Sequence, residues 1–307
     1  MDRKIKIAVV GVGFFGERHA KVYSEMENVQ LVAVVDADIK RAQEIAARYR
    51  CESFCEITPL FGKIDAASIV TPTKDHVTMA VPLLNAGVDL LIEKPITATL
   101  QEADEIIRLA QQKGRVVHVG HIERYNPALL KLRAYPIAPR LIECHRMGPF
   151  VERAANVSVV LDLMIHDIDI VLSLTESKLV NVEAVGLSVV SPEIDIAHAR
   201  LYFSNGLVAN LMASRVSEER VRTVKIFQEQ SYFLLNYATR ELTVYKERLH
   251  QKYSFEQEDT LKMEIGGFLS AVCRQPCPTG AAANLSDGTA ALAVALQIID
   301  AIKASRS

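Results

Sequence analysis

Short apolar runs alternate with amphipathic stretches through the first part of the chain. Residues 4–10, 31–36, 65–70, 88–93 and 115–120 are dominated by Val, Ile, Leu and Ala, with a brief run at 53–54. Runs of that length and composition predict strands buried on both faces. Between them, residues 17–26, 39–49, 77–86 and 99–113 carry apolar positions at helical spacing. Gly87 stands where a helix would stop, and Thr99 with Glu102 three residues later predicts a capping box. Strands and helices in strict alternation predict a parallel, doubly wound sheet.

Near residue 120 the pattern changes. Residues 128–135 predict a short helix and 157–174 a longer one, with apolar positions about 3.6 residues apart. Strand-like runs follow at 182–190, 197–203, 207–214, 224–228, 232–237 and 241–245, and Asn205-Gly206 between two of them predicts a hairpin turn. A last helix is expected at 289–303, behind a cap region at Ser286-Asp287-Gly288. The expected architecture is an α/β Rossmann domain over residues 1–122 and an α+β domain over 123–307 with an open, mainly antiparallel sheet. The C-terminal helix has the option of packing back on the first domain.

The polar residues that interrupt the first half fall in one kind of place. Gly11-Val12-Gly13-Phe14-Phe15-Gly16 follows the first strand and opens a helix. In that context G-x-G-x-x-G lets the chain turn tightly, lets a pyrophosphate approach the backbone, and aims unpaired N–H groups at it. Asp36 ends the second strand, twenty residues past Gly16, where an acid would bind the adenosine ribose hydroxyls and repel a 2′-phosphate. That favours NAD over NADP, with Arg41 nearby as the counter-argument. Thr71-Pro72-Thr73, Glu93-Lys94-Pro95 and His121 to Asn126 also follow strand ends. A doubly wound sheet gathers those ends along one edge, where ligands bind. Lys94 there, on a rigid element, is placed for proton transfer. Read without its context, Glu93-Lys94 would be a solvated loop pair.

In the second half, Asp162 and His166 are four apart on the predicted helix and share a face. His166 can take a hydroxyl proton, and Asp162 can orient it or bind a sugar hydroxyl. A surface pair is the bland alternative, and Asp162, His166 and Asp169 as metal ligands is a third reading that lacks a completing residue; no metal is expected. Five cysteines, an odd count in a chain of 307 residues, do not suggest a disulfide framework. A formal net charge of −2 gives no bulk field towards nucleic acid or an anionic membrane. With no leader pattern, a cytoplasmic protein is expected.

Together, these motifs resemble the Gfo/Idh/MocA oxidoreductases: an N-terminal G-x-G-x-x-G, Thr71-Pro72-Thr73 with His76 shortly after, Glu93-Lys94-Pro95, and Asp162-x-x-x-His166. The resemblance covers nearly the whole chain. It implies a bound nicotinamide cofactor, held by the residues from Gly11 to Gly16, Asp36, Thr71 to Thr73, His76 and Glu93 to Pro95. It also implies a cis Lys94–Pro95 bond and a homodimer or homotetramer built through the second sheet. Within the family, residues 120–128 look closest to dehydrogenases that oxidise the 3-hydroxyl of nucleotide-activated amino sugars, such as UDP-N-acetylglucosamine or its uronate. Carried over, Lys94 and His166 flank the hydroxyl, and Arg124, Tyr125, Asn126 and Asp162 line the sugar-nucleotide site. Residues 148–158 lack the paired glycines common before the family's histidine helix. A 3-keto amino sugar would suit a following aminotransferase, hence lipopolysaccharide or lipid A supply. Dehydrogenation of a free sugar or inositol, reduction of a non-sugar substrate, or a sensor that binds NAD(P) without turnover are the alternatives.

Overall fold

A computed structural model describes residues 3–152, 155–246 and 249–305. The chain divides into two compact units, one of residues 1–122 with 261–289, the other of 123–260 with 290–307.

The first unit is built on a six-stranded sheet of order β3-β2-β1-β4-β5-β6, with every pairing parallel. Its strands are β1 (Ile5–Val10), β2 (Val29–Val35), β3 (Glu52–Phe54), β4 (Ala66–Ile69), β5 (Asp89–Glu93) and β6 (Val117–Gly120). Helices α1 (Phe14–Glu25), α2 (Ile39–Tyr49), α3 (His76–Asn85) and α4 (Leu100–Lys113) connect them. The ends of α2 and α4 are written locally. Asp38 caps α2 by accepting from the N–H groups of Lys40 and Arg41. Thr99 and Glu102 close both arms of the capping box on α4, and Gly114 in the left-handed region ends that helix. The strands are apolar on both faces because helices cover both, so Ile7, Val9, Ile69, Leu90 and Ile92 are wholly buried.

Residues 261–289, expected in the second domain, fall in this unit. Helix α7 (Thr260–Val272) puts Leu261, Ile265, Phe268 and Leu269 into the core that contains Ile7, Val9 and Tyr23. Apolar burial decides the grouping, and position along the chain does not. Phe268 also meets His118 of β6 edge-on, ring centroids 5.8 Å apart. Burial lowers the His118 pKa, with Asp287 pulling the other way. The unfolded chain therefore takes up this proton at higher pH than the fold does, and stability is lost as pH falls below about 6.5. We expect His118→Phe to flatten the decline of Tm between about pH 7 and 5, which a pH series of thermal melts reads directly.

The second unit is an eight-stranded sheet of order β14-β13-β12-β11-β7-β10-β9-β8. The strands are β7 (Leu141–Met147), β8 (Leu179–Leu187), β9 (Ile196–Phe203), β10 (Val208–Ser214), β11 (Val221–Gln228), β12 (Ser231–Asn236), β13 (Glu241–Lys246) and β14 (Leu249–Ser254). All pairings are antiparallel except β10 with β7. One face is packed by α5 (Pro127–Leu132), α6 (Ile165–Ser173) and the buried side of α8 (Leu285–Ala304). Helix α8 is long and apolar enough to span a membrane by length and composition. Its Ala291, Ala295, Ile298 and Ile302 instead lie inside the protein, with Leu201, Leu211 and Ile226 in one core.

Candidate active site

In the first unit the strand order brings the carboxyl ends of β1, β2, β4 and β5 to one edge, and the loops there are tied to one another. Asp36, just past β2, accepts from the Val12 N–H at 2.9 Å and from the Asp38 N–H at 3.0 Å. Gly11 has φ +86, and a Cβ on it would lie 2.7 Å from the Val70 carbonyl oxygen. A Cβ at Gly16 would lie 1.8 Å from the Gly11 oxygen. These two glycines are required by close approach.

Gly13 is different. Nothing stands within 4 Å of where its Cβ would be, and as N-cap of α1 it offers no side chain to the first N–H groups of the helix. Open space before an uncapped helix N-terminus suits a dinucleotide pyrophosphate. Phe14 is 68% exposed beside that space, while the Phe15 ring carries the Arg18 guanidinium at 5.2 Å. Asp36 keeps acceptor capacity for ribose hydroxyls, and Arg41, the residue that argued for NADP, lies 3.7 Å from its carboxylate.

His76 links two of the loops. Its Nδ1 is 3.0 Å from the Ile96 carbonyl oxygen and its Nε2 is 2.9 Å from that of Thr71. The ring therefore braces Thr71-Pro72-Thr73 against the segment that follows Lys94. The Lys94–Pro95 bond is cis, as the resemblance implied. Glu93 and Lys94 sit at the end of β5 and are both partly exposed.

In the second unit the predicted helix at 157–174 is two pieces. Residues Val160–Met164 wind as a π-helical turn and α6 starts at Ile165. Asp162 lies on the wide turn and His166 in the first turn of α6. Wide turns of this kind are frequent at functional sites. Buried arginines then grip α6. Asp167 receives Arg146 Nε at 3.0 Å and Nη2 at 2.8 Å, and Asp169 receives Arg124 Nε at 2.8 Å and Nη2 at 2.7 Å. Two residues apart on a helix means about 200° around it, so the helix is held on nearly opposite flanks. Arg146 also donates to Glu123 at 2.7 Å. Burial pushes the Asp167 carboxyl up, against the pull of Arg146.

This bears on two sequence expectations. Asp169 has both oxygens on Arg124, which is at odds with its use as a metal ligand. Of the residues expected at the substrate, three lie after β6: Arg124 is buried on Asp169, Tyr125 is buried, and Asn126 accepts from the Ala128 N–H at 3.1 Å as the cap of α5. As folded, Arg124 and Asn126 hold the segment after β6, and their assignment to a sugar nucleotide rests on the resemblance. The sequence reading missed Arg146 and Asp167. Two carboxylates within the apolar stretch Ile165-His166-Asp167-Ile168-Asp169-Ile170 were the available signal.

An open parallel sheet with an uncapped glycine turn and a strand-end acid defines a dinucleotide-binding fold. The chain belongs to the Gfo/Idh/MocA family: residues 5–121 match the oxidoreductase family, NAD-binding Rossmann fold, and residues 130–233 match the GFO/IDH/MocA C-terminal domain. It is an NAD-binding oxidoreductase. UDP-N-acetylglucosamine 3-dehydrogenase of Acidithiobacillus ferrooxidans is 38% identical over 98% of both chains. A solved structure of that enzyme superposes with a TM-score of 0.93 at 39% identity, covering 99% of both chains. The NAD-dependent scyllo-inositol 2-dehydrogenase of Bacillus subtilis is 25% identical over 83% of this chain and 85% of its own.

Proposed function

We propose that this enzyme oxidises the 3-hydroxyl of a UDP-linked N-acetylamino sugar, UDP-N-acetylglucosamine or its uronate, to the 3-keto sugar. The observation that carries the reading is end-to-end likeness to a UDP-N-acetylglucosamine 3-dehydrogenase, in sequence and in fold. Relatives that act on inositols are more distant.

The chemistry asks little of the protein beyond orientation and proton handling. NAD, when bound, accepts a hydride at C4 of the nicotinamide. The α1 N-terminus and Gly13 would hold its pyrophosphate and Asp36 its ribose, with Phe14, Thr71 to Thr73, His76 and Glu93 to Pro95 as the further contacts. Among this chain's own groups, His166 takes the hydroxyl proton. Lys94 donates a hydrogen bond to the same oxygen and stabilises the charge that develops as the C–H bond breaks. Asp162 orients His166 or binds a neighbouring hydroxyl. The second sheet has one packed face, and covering the other with further copies of the chain gives a homodimer or homotetramer. A nucleotide sugar as substrate supports a cytoplasmic enzyme.

The test is thermal stabilisation with NAD, NADP, UDP-N-acetylglucosamine, free hexoses and inositols, followed by absorbance of the reduced cofactor. Ligands that bind the fold raise its Tm by mass action. NAD together with UDP-N-acetylglucosamine should shift Tm beyond NAD alone and support turnover. Turnover with inositols or free sugars only would replace the substrate and keep the reaction class. Binding of NAD with no turnover of any of them would favour a sensor.

A further inference from the structure

Behind the end of β5 a set of buried polar side chains runs through the first unit and stops at Glu93. The Tyr23 hydroxyl is 2.8 Å from Ser68 Oγ, and Ser68 Oγ is 3.2 Å from His19 Nδ1. His19 Nε2 in turn lies 3.3 Å from Glu93 Oε1. His19, Tyr23 and Ser68 are wholly buried. At 3.3 Å this contact falls short of hydrogen-bond geometry, and neither His19 Nε2 nor Glu93 Oε1 bonds to anything else among the described residues. Buried polar atoms are paired as a rule, so each is the other's natural partner.

The protons can be assigned from donor and acceptor counts. An ionised Glu93 only accepts, so His19 Nε2 must carry the hydrogen. In a neutral ring Nδ1 then accepts from the Ser68 hydroxyl, and Ser68, its one proton used, accepts from Tyr23. Burial first, and Glu264 after it, hold the Tyr23 phenol well above its usual range, so it stays a donor. Every bond in the series points the same way, towards the carboxylate, and such bonds polarise one another.

The carboxylate itself sits in a made slot. Glu93 pairs with Gly120 across β5 and β6, and a Cβ on Gly120 would lie 2.8 Å from Oε1 and 3.1 Å from Oε2. Its other oxygen, Oε2, accepts from the Lys94 backbone N–H at 3.3 Å. Glu93 is therefore fixed from behind by His19, has its flank against Gly120, and holds the backbone of the next residue.

We infer that His19 and Glu93 are positioning residues for the proton step: His19 fixes the Glu93 carboxylate, and Glu93 fixes Lys94. The inference rests on the dehydrogenase reading above. A catalytic group displaced by about 1 Å costs on the order of 100-fold in rate, so loosening this support should show in kcat.

The variants are chosen by atom position. A glutamine at 19 places its amide N–H near the Nε2 position, whereas an asparagine reaches only as far as Nδ1. In full-length enzyme with NAD and UDP-N-acetylglucosamine, His19→Asn and Glu93→Gln should lower kcat about 30-fold or more, and in His19→Asn the KM for NAD should change less than about threefold. His19→Gln should recover kcat to within about fivefold of wild type. Equal losses in His19→Asn and His19→Gln, or losses confined to KM for NAD, would overturn the proposal. A second readout needs no turnover. Nitrogen NMR of 15N-histidine-labelled protein, with the His19 signal assigned by its absence from His19→Gln, should find a proton on Nε2. A bare Nε2 sinks the assignment whatever the kinetics. Wild-type enzyme inactive on every sugar and inositol offered would instead count against the dehydrogenase reading, and the ring's proton would still decide how Glu93 is held.

Discussion

Replacing Lys94 with Met lowers kcat by about three orders of magnitude while the Kd for NAD stays within a few-fold of wild type. The size follows from the role. A positioned proton donor or acceptor contributes roughly 100- to 10,000-fold, and Lys94 is proposed to meet the reacting oxygen in the transition state. The cofactor's phosphates and ribose are held elsewhere, by the turn from Gly11 to Gly16 and by Asp36, which ties that turn through the Val12 N–H. Methionine keeps much of the length and apolar stem of lysine and removes the ammonium, so packing at the end of β5 changes little. Stopped-flow or steady-state absorbance gives kcat, and calorimetric titration with NAD gives Kd. His166→Ala should behave alike, and the double variant should lose much less than the product of the two, because groups that act on one oxygen are not additive. Normal turnover in both single variants would sink the mechanism.

The first unit was readable because its signals are local. Gly11 to Gly16, Asp36 and the capping box at Thr99 and Glu102 are each decided by residues a few places apart, and the strand order then places them without further information. The second unit was read less well for a physical reason. Strand β7 points Ile142, Cys144 and Arg146 inward, and an arginine in a core position hides the alternation that would reveal a strand. Strand β14 is almost wholly exposed and exists because β13 pairs with it. In the first unit, helix α7 escaped for a similar reason: it carries Gly266 and Gly267 and buries Glu264, which weakens its apolar stripe. The π turn at Val160–Met164 has no sequence signature at all. The site divides in the same way. Lys94 and His166 could be picked out by motif, but Arg146 with Asp167, and His19 with Glu93, are pairs joined only by the fold.

Arg146→Met should be the most destabilising substitution in the second unit, by about 3–5 kcal/mol. Arg146 is 2% exposed and makes paired bonds to Asp167 and a third to Glu123. Deleting it strands the buried Asp167 and the partly buried Glu123, with Arg222, 3.6 Å from Glu123, the one remaining cation paired to them among the described residues. Asp167→Leu is milder, because Arg146 then keeps Glu123, and Arg146→Met combined with Asp167→Leu should recover part of the loss of the single arginine variant. The pH dependence identifies the cause. Burial already raises the Asp167 carboxyl in the intact protein, and without Arg146 nothing of comparable strength lowers it. A carboxyl raised in the fold weakens stability where it is ionised and ceases to do so as it protonates. The deficit of Arg146→Met should therefore shrink as pH falls from about 8 towards 5. Urea melts followed by circular dichroism at several pH values would show it, and a deficit constant with pH would mean that lost packing around the arginine stem, and not the stranded charge, dominates. Asp167 neighbours His166 on α6, so the same variant should also lower kcat at temperatures where the protein is still fully folded.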